Sequence, residues 1–374
     1  MTQPAALSPV VDLCRTFVRI PSLSGQEGAM GAAAAEAMAR LGFTVETDAW
    51  GSVTGVRRGR GPGPTILLDA HMDTVPVTRP EAWVHAPHGG EVSGGRLWGR
   101  GAADTKGSLA AMICAAAGLE AFAGTVVVSA SVGEEDLTTA SLVPILERHR
   151  PDLVIVGEPT ALKLGVAQKG RAGVILEAEG RSAHTSRPEL GVNAVYRMME
   201  AVARLRSLPL PEDPELGRGV LELIEVASEP TPSQGMVPHR CTARLALRLL
   251  PGETEATVLA RLRGALAGLE GLEVRLGQLA RPACTGRPMA MAEFIPAWTH
   301  GDSPLRRTLE AAVGRGSFAA PYTTHASAAA ARGIPVFLLG PGAIDQAHII
   351  DEWVAVEELE AAVAAYRAAV FALS

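Results

Sequence analysis

Histidines and carboxylic acids occur in this chain where short apolar runs end. Six such residues follow an apolar run within a few positions or a short loop: His71, Asp73, Glu134, Glu135, Glu158 and His348. In open α/β sheets, ligands bind outside the carboxyl ends of the strands, so these side chains are expected to meet at one edge. Mixed imidazole and carboxylate ligands suit zinc, and cobalt or manganese could substitute. The pattern predicts a metal site of the kind that serves hydrolysis.

His71 and Asp73 are separated by one residue, and residues i and i+2 of an extended segment point the same way. Asp73 could therefore accept the second imidazole N–H of His71 and fix the orientation of a metal-binding ring. The alternative is an ordinary surface or core histidine, because a single H-x-D triplet is weak support for a ligand.

Asp104 comes just ahead of a helical pattern in the segment GRGAADTKGSLAAMICAAAG. Its side chain could cap that helix by accepting backbone N–H groups. It could instead offer its two oxygens to two metals at once, and Gly99, Gly101 and Gly107 permit a tight backbone approach.

Glu134 and Glu135 are adjacent acids at a strand end, where their side chains diverge. One can bind a metal while the other faces a water, which is the division of roles that acid–base hydrolysis requires. The alternative is a solvated acidic loop.

Glu158 and His348 complete a symmetric set in which each metal has one histidine and one glutamate and both share Asp104. Two-metal sites of this kind hold ions about 3.5–4 Å apart and activate a water. His184, in GRSAHTSRPELGVNA, is far from the others in sequence. It could donate to an oxyanion after domain closure or from a neighbouring subunit, or be a plain loop histidine.

The first 169 residues alternate helical patterns with buried apolar runs, which predicts a largely parallel sheet covered on both faces. The helical patterns lie near 10–18, 28–41 and 107–121, and the apolar runs near 65–69, 125–132 and 153–157. From about 283 the same pattern resumes. The predicted class is α/β, with a larger domain formed by 1–169 and 283–374.

The segment 170–282 has a different pattern. Strand-like and helical stretches follow one another in the order β-α-β-β-α-β, which is that of a ferredoxin-like unit. The predicted elements are strands at 174–180, 220–228, 241–250 and 272–278, and helices at 193–207 and 253–269. We therefore expect a smaller α+β domain inserted into the larger one.

Composition excludes several classes of function. A net charge of −6 gives no reason to expect nucleic acid or an anionic membrane as a partner, and no apolar stretch reaches the roughly 18 residues of a membrane span. The scattered cysteines indicate neither a disulfide framework nor a zinc knuckle, and the N-terminus lacks the basic region of a secretory signal. We expect a cytoplasmic protein with a small-molecule substrate.

Six motifs in order, HMDTVP, GRGAADTKG, GEED, GEPT, SAHTSRPELGVNA and GPGAIDQAH, resemble the signatures of the aminoacylase/carboxypeptidase family of two-metal hydrolases. The resemblance covers the chain from about residue 10 to its C-terminus. It implies a zinc-exopeptidase-like catalytic domain, two divalent ions that are zinc or alternatively cobalt or manganese, and an inserted lid domain that forms a homodimer.

Site roles follow from the resemblance, residue by residue. It implies that one metal is bound by His71 and Glu158 and the other by Glu135 and His348, with Asp104 bridging them and followed by a cis peptide. It also implies that Glu134 is the base that takes a proton from water and gives it to the leaving amine, and that Asp73 orients His71. Two further residues would act on the substrate: His184 would donate to the oxyanion in the partner's site, and Arg248 would bind the substrate carboxylate. A structural arginine is the alternative for Arg248.

Within this family the chain looks most like acetylornithine deacetylase, so the predicted reaction is hydrolysis of N-acetyl-L-ornithine to ornithine and acetate. A dipeptidase, a carboxypeptidase or a succinyl-diaminopimelate desuccinylase is the alternative. An inactive metal-binding scaffold is disfavoured because the proposed base is present. Departures from the family pattern bear on the substrate: Gly235, His325, Thr138 and Thr139.

Overall fold

The computed structural model of the protein describes residues 7–232 and 234–373. Residues 1–6 and 374, assigned above to the larger domain, and residue 233, assigned to the inserted one, lie outside the described part. Among the described residues no helix is both long and apolar enough to cross a bilayer.

A nine-stranded sheet, here called the large sheet, carries the predicted metal ligands. At its centre Thr65–His71 runs parallel to both Thr125–Ser131 and Leu153–Val156. Pairing toward the edges is partly antiparallel, as between Val53–Arg58 and Thr125–Ser131. The other strands are Thr44–Thr47, Leu164–Gln168, Trp298–Thr299, Ser317–Ala320 and Val336–Leu338.

Both faces of the large sheet are buried, which explains why its central strands are continuous apolar runs. Ile66 and Leu68 belong to a core on one face, and Leu67 points to a separate core on the other. Helices on the first face are Pro9–Val18, Gly28–Arg40, Gly107–Ala117, Pro304–Val313 and Val356–Phe371. Those on the second face are Leu142–His149 and Ala326–Ala330.

An antiparallel five-stranded sheet, here called the small sheet, is formed by the chain segment that lies between Leu164–Gln168 and Trp298–Thr299, two strands of the large sheet, in the sequence. Its strands and helices follow in the order predicted for a ferredoxin-like unit, and its core is separate. The strands are Gly170–Glu179, Val220–Glu229, Arg240–Leu249, Leu272–Leu276 and Phe294–Ile295. The helices are Ala194–Arg206 and Glu255–Ala265.

Short elements complete the chain. Two hairpins pair Glu212–Asp213 with Gly217–Arg218 and Gln278–Pro282 with Pro288–Ala292. A three-stranded sheet contains Glu91–Ser93, Arg96–Trp98 and Trp353–Ala355. Further short helical turns are Pro80–Ala82, Ala102–Lys106, Glu134–Leu137, Pro188–Leu190 and Ile344–Gln346.

The predicted α/β class is confirmed, with a sheet whose central strands are parallel and whose helices cover both faces. Phe294–Ile295 still pairs with the small sheet, and the chain rejoins the large sheet at Trp298–Thr299. The division of the chain at 170 and 282 into two domains stays a prediction.

Candidate metal centre

Three strand ends bring the predicted ligands to one edge of the large sheet. His71 is the last residue of Thr65–His71 and pairs with Ser131 in the neighbouring strand. Glu134 follows that neighbour by three residues, and Glu158 follows Leu153–Val156 by two. Because these strands are parallel, their carboxyl ends open to the same side, and the side chains meet there.

Asp104 lies between two imidazoles, those of His71 and His348. Its Oδ1 is 3.1 Å from Nε2 of His71, and its Oδ2 is 3.2 Å from Nε2 of His348. The residue lies in a tight turn between Gly101, whose φ is 83°, and the helix Gly107–Ala117. Its peptide bond to the next residue is cis. The two oxygens of Asp104 thus face different histidines.

Glu135 lies beside His348, with its Oε1 at 3.1 Å from Nε2 of that histidine. Ligand atoms of His71, Asp104 and Glu135 all lie within 4.8 Å of one another, as the donors of a bound metal do. His348 reaches in from a loop with a positive φ of 62° and is half exposed. The cluster is therefore open to solvent on the His348 side.

Glu158 is 5% exposed, and its Oε1 has no hydrogen-bond partner among the described residues. A buried carboxylate oxygen without a donor is costly, and a cation satisfies it. Burial, followed by the nearby charge of Asp104, raises the pKa of Glu158 to about 8. The residues present therefore fit a site built for positive ions.

Other titrations in the cluster agree with this reading. Burial also raises the pKa of Glu134 well above its ordinary value. Burial would raise the pKa of Asp104 too, yet hydrogen bonds with His348 and His71 hold that pKa below its usual range. Hydrogen bonds to Asp104 and Glu135 raise the pKa of His348 to about 10. The carboxylates of Asp104 and Glu135 thus favour positive charge at the position of His348.

Asp73 holds the backbone that presents the paired glutamates. Its Oδ1 accepts from the amide of Glu134 at 3.0 Å, and its Oδ2 accepts from the amide of Glu135 at 3.1 Å and from the hydroxyl of Ser24 at 2.7 Å. Nδ1 of His71 lies 3.0 Å from the backbone oxygen of Asp73 and 3.6 Å from its carboxylate. Both parts of Asp73 thus organise the site.

The two remaining predicted residues lie elsewhere. His184 is exposed in the small-sheet region, and its Nδ1 lies 2.8 Å from the hydroxyl of Ser186. Arg248 is half-buried and lies opposite Arg171 on neighbouring strands. It reaches the hydroxyl of Thr323 at 3.5 Å. Neither contacts the cluster directly.

Several buried acids that support the site were missed in the sequence. Glu352 accepts from the amides of Ala103 and Asp104, at 3.0 and 3.1 Å. Glu27 accepts from the amide of Gly133 at 3.0 Å, directly before the paired glutamates. An acid next to apolar residues, as in IIDEWV, is the signal that could have drawn attention to Glu352.

Comparison with known proteins supports this arrangement of elements. The protein YgeY of Escherichia coli K12 is 31% identical over 358 residues, covering 90% of this chain and 88% of YgeY. A succinyl-diaminopimelate desuccinylase of Sphingopyxis alaskensis is 27% identical, covering 96% of each chain. The crystal structure of an M20 family metallo-carboxypeptidase from Sulfolobus solfataricus has a TM-score of 0.76 at 18% identity, covering 98% of this chain and 99% of its own.

The family model for peptidase family M20/M25/M40 matches residues 67–372. That span begins in the strand leading to His71 and includes every predicted ligand. Cleavage of amide bonds is the activity that such a peptidase family performs. This chain belongs to peptidase family M20/M25/M40.

Proposed function

We propose that this enzyme hydrolyses the amide of an N-acyl amino acid, with N-acetyl-L-ornithine as the first compound to test. The observation that carries the proposal is Asp104, whose two oxygens each lie next to one histidine of the cluster. A carboxylate placed in this way suits two cations, and Glu134 lies beside them as a buried acid.

We assign the two cations, for which zinc is the first choice, to the residues that surround them. His71 and Glu158 would hold one, Glu135 and His348 the other, and Asp104 both. When bound, such ions polarise the amide carbonyl and lower the pKa of water. The donor set of imidazoles and carboxylates fits zinc, cobalt and manganese alike.

Glu134 has the chemistry of the proposed base. It is 9% exposed, and neither of its carboxylate oxygens accepts a hydrogen bond of 3.5 Å or less from the described residues. The carboxylate can take a proton from water during attack on the amide and then give it to the departing amine. Asp73, by holding the backbone amide of Glu134, fixes where that carboxylate lies.

Two arginines support a substrate that carries a carboxylate. Arg171 and Arg248 face each other on adjacent strands, and neither has an acidic partner among the described residues. Arg248 contacts Thr323, next to Tyr322, whose hydroxyl lies close enough to Glu158 and Asp104 to feel their charge. A guanidinium fork matches a carboxylate, so this pair can hold the acid group of an amino acid near the metals.

A second candidate is an N-succinyl amino acid. The same pair of arginines suits it, because a succinyl group adds another carboxylate to the substrate. The similarity to a succinyl-diaminopimelate desuccinylase over 96% of the chain points the same way. A dipeptide also ends in a carboxylate, so Arg171 and Arg248 do not distinguish it from an N-acyl amino acid, and the substrate assay has to do so.

A substrate panel separates these candidates. Purified protein loaded with zinc or with cobalt is assayed on N-acetyl-L-ornithine, N-succinyl-diaminopimelate and a dipeptide, with amine release as the readout. We expect the highest kcat/KM on one of the two N-acyl compounds. Arg248→Gln should raise KM for that compound while leaving kcat nearly unchanged. Higher kcat/KM on the dipeptide would reject the deacylase proposal.

We further propose that two copies pair through the small sheet. Val220–Glu229 is an edge strand of that sheet, with Ile224 57% and Val226 51% exposed. Tyr196 and Met199, on the helix Ala194–Arg206, are 70% and 63% exposed. An apolar edge strand is a surface that a second copy can cover. Ile224→Lys should give a monomer in sedimentation, whereas Val84→Lys, at another exposed apolar residue, should not.

His184 is proposed to act in the partner's site, which its exposed position permits. Mixing the His184→Ala and Glu134→Gln proteins, each nearly inactive alone, tests this. A mixed dimer would contain one site with both residues intact, so random pairing should restore about a quarter of wild-type activity. If His184 acts within its own chain, mixing will restore nothing, and if it has no catalytic role the His184→Ala protein will be active without mixing.

A further inference from the structure

His325 lies directly behind the candidate site and has no role in the proposed mechanism so far. It is fully buried, at the start of the short helix Ala326–Ala330. Its Nδ1 is 2.9 Å from Oδ2 of Asp69, which is also fully buried. Asp69 in turn accepts from the hydroxyl of Ser129. One side of the imidazole ring is therefore firmly held.

The other side of the ring faces Glu134. Nε2 of His325 is buried, has no hydrogen-bond partner among the described residues, and lies 3.9 Å from Oε1 of Glu134. Within the described chain, His325 is the one basic group at 4.0 Å or less from that carboxylate. A movement of about 1 Å brings the two atoms to ordinary hydrogen-bond distance. A buried nitrogen without a partner favours that contact, because leaving it unpaired is costly.

We propose that His325 is a positioning residue for Glu134: Asp69 orients the ring through Nδ1, and Nε2 donates to Oε1 of Glu134. The inference rests on the proposed role of Glu134 as the base. Donation to one carboxylate oxygen fixes the rotation of the carboxylate and turns the other oxygen away from the core. The ring lies between the carboxylates of Asp69 and Glu134, so each of its nitrogens faces an acceptor.

Placement in the fold supports a specific role rather than generic packing. Asp69 and His71 lie on the same strand two residues apart, so their side chains point to the same face. The rings of His71 and His325 are 5.9 Å apart between centroids. The strand Thr65–His71 thus carries two side chains of the site. His71 is a proposed metal ligand, and Asp69 contacts His325, which faces Glu134.

Two substitutions at this position separate the two nitrogens. The amide nitrogen of glutamine can take the place of Nε2, so His325→Gln keeps a donor toward Glu134. The shorter asparagine can take the place of Nδ1 only, so His325→Asn keeps the contact to Asp69 and loses the donor. Both variants remove the ring, so loss of packing is common to them.

We expect His325→Asn to lower kcat by about tenfold or more, since a hydrogen bond to a charged group is lost, with KM and metal content near wild type. His325→Gln should stay within about fivefold of wild-type kcat. Equal losses in the two variants would overturn the proposal, because packing alone would then explain them. Wild-type kcat in His325→Asn would overturn it as well.

A double variant tests whether His325 acts through Glu134. Added to Glu134→Gln, His325→Asn should change the residual kcat by less than about twofold, because its target is already altered. A further tenfold loss would show an independent role and reject the inference.

A crystal structure of the zinc-loaded wild type tests the contact without any substrate, so the inference can fail separately from the proposed reaction. We expect Nε2 of His325 within about 3.2 Å of Glu134. A separation that stays near the 3.9 Å seen here would overturn the inference even if the enzyme is active.

Discussion

Glu352 provides the sharpest test of how this site is supported. It is fully buried, and its two oxygens have different partners. Oε1 accepts from the amides of Ala103 and Asp104, and Oε2 accepts from the guanidinium of Arg100 at 2.7 Å. Glu352→Gln keeps the shape but adds an amide donor. In one orientation that donor faces Arg100, and in the other it faces the two backbone amides.

The expected loss of stability follows from the burial of both partners. Burial raises the pKa of Glu352 to about 7, so the measurement is made at pH 8, where its carboxylate is ionised. Arg100 is only 1% exposed, so neutralising its partner at that pH leaves a buried and uncompensated charge. Removing one member of a buried ion pair costs about 3–5 kcal/mol. We expect the free energy of unfolding of the metal-free protein to fall by that amount. Glu360→Gln, at an exposed residue of the last helix, should change it by less than about 0.5 kcal/mol.

Urea denaturation followed by circular dichroism measures both variants. A fall of less than about 1 kcal/mol in Glu352→Gln would refute the reasoning, because the buried pair would then contribute little. The double variant Arg100→Gln with Glu352→Gln provides a second check. Its destabilisation should be smaller than the sum of the single effects by at least about 1 kcal/mol, since the two residues contact each other. Simple additivity would mean that the pair is not coupled.

Four further outcomes test the site itself. Glu134→Gln should retain metal and lose about 10²–10⁴-fold in kcat, because only the base is removed. Elemental analysis measures the metal content and steady-state kinetics measures kcat. An unchanged kcat would reject Glu134 as the base. Asp104→Ala should lose one or both metals, so full occupancy of two would contradict bridging. His184→Ala should lower kcat far more than metal content, and wild-type turnover would remove it from catalysis. Zinc affinity should rise from about pH 6 to about pH 8, because a ligand must be ionised and the pKa of Glu158, raised to about 8, keeps most of that carboxyl protonated below pH 8. Titration calorimetry should show a weaker pH dependence in Glu158→Gln.

Local patterns in the sequence were sufficient for many of the elements and for expecting the acids and histidines at strand ends to lie at one edge of the sheet; their role as metal ligands stays a prediction. The helix predicted at 28–41 is observed as Gly28–Arg40, and the strand predicted at 220–228 as Val220–Glu229. Apolar periodicity and the acids at strand ends are local signals, and the topology of a parallel sheet brings strand ends together. This is why residues as distant as His71 and His348 could be assigned to one centre.

Contacts that depend on tertiary packing were beyond the reach of the sequence. The spacing of His71 and Asp73 predicts that the carboxylate of Asp73 accepts from the ring. In the structure Nδ1 of His71 lies closest to the backbone oxygen of Asp73, while the carboxylate accepts from amides 61 and 62 residues away. Glu352 supports Asp104 from 248 residues away. Neither partner could be deduced from the local pattern, because any buried acid can accept from any nearby amide.

Three buried carboxylates share one task in this protein. Asp73 and Glu27 accept from the amides that lead into the paired glutamates, and Glu352 accepts from the amides before Asp104. Each of these acids supports a loop whose own side chains are acidic. Asp73 and Glu27 add further carboxyl groups to that region, whereas Arg100 balances the charge of Glu352. That arrangement is costly on its own and becomes favourable when cations are bound. The loops are therefore held rigidly in a geometry that positive ions complete, which couples the stability of the fold to the occupancy of the site.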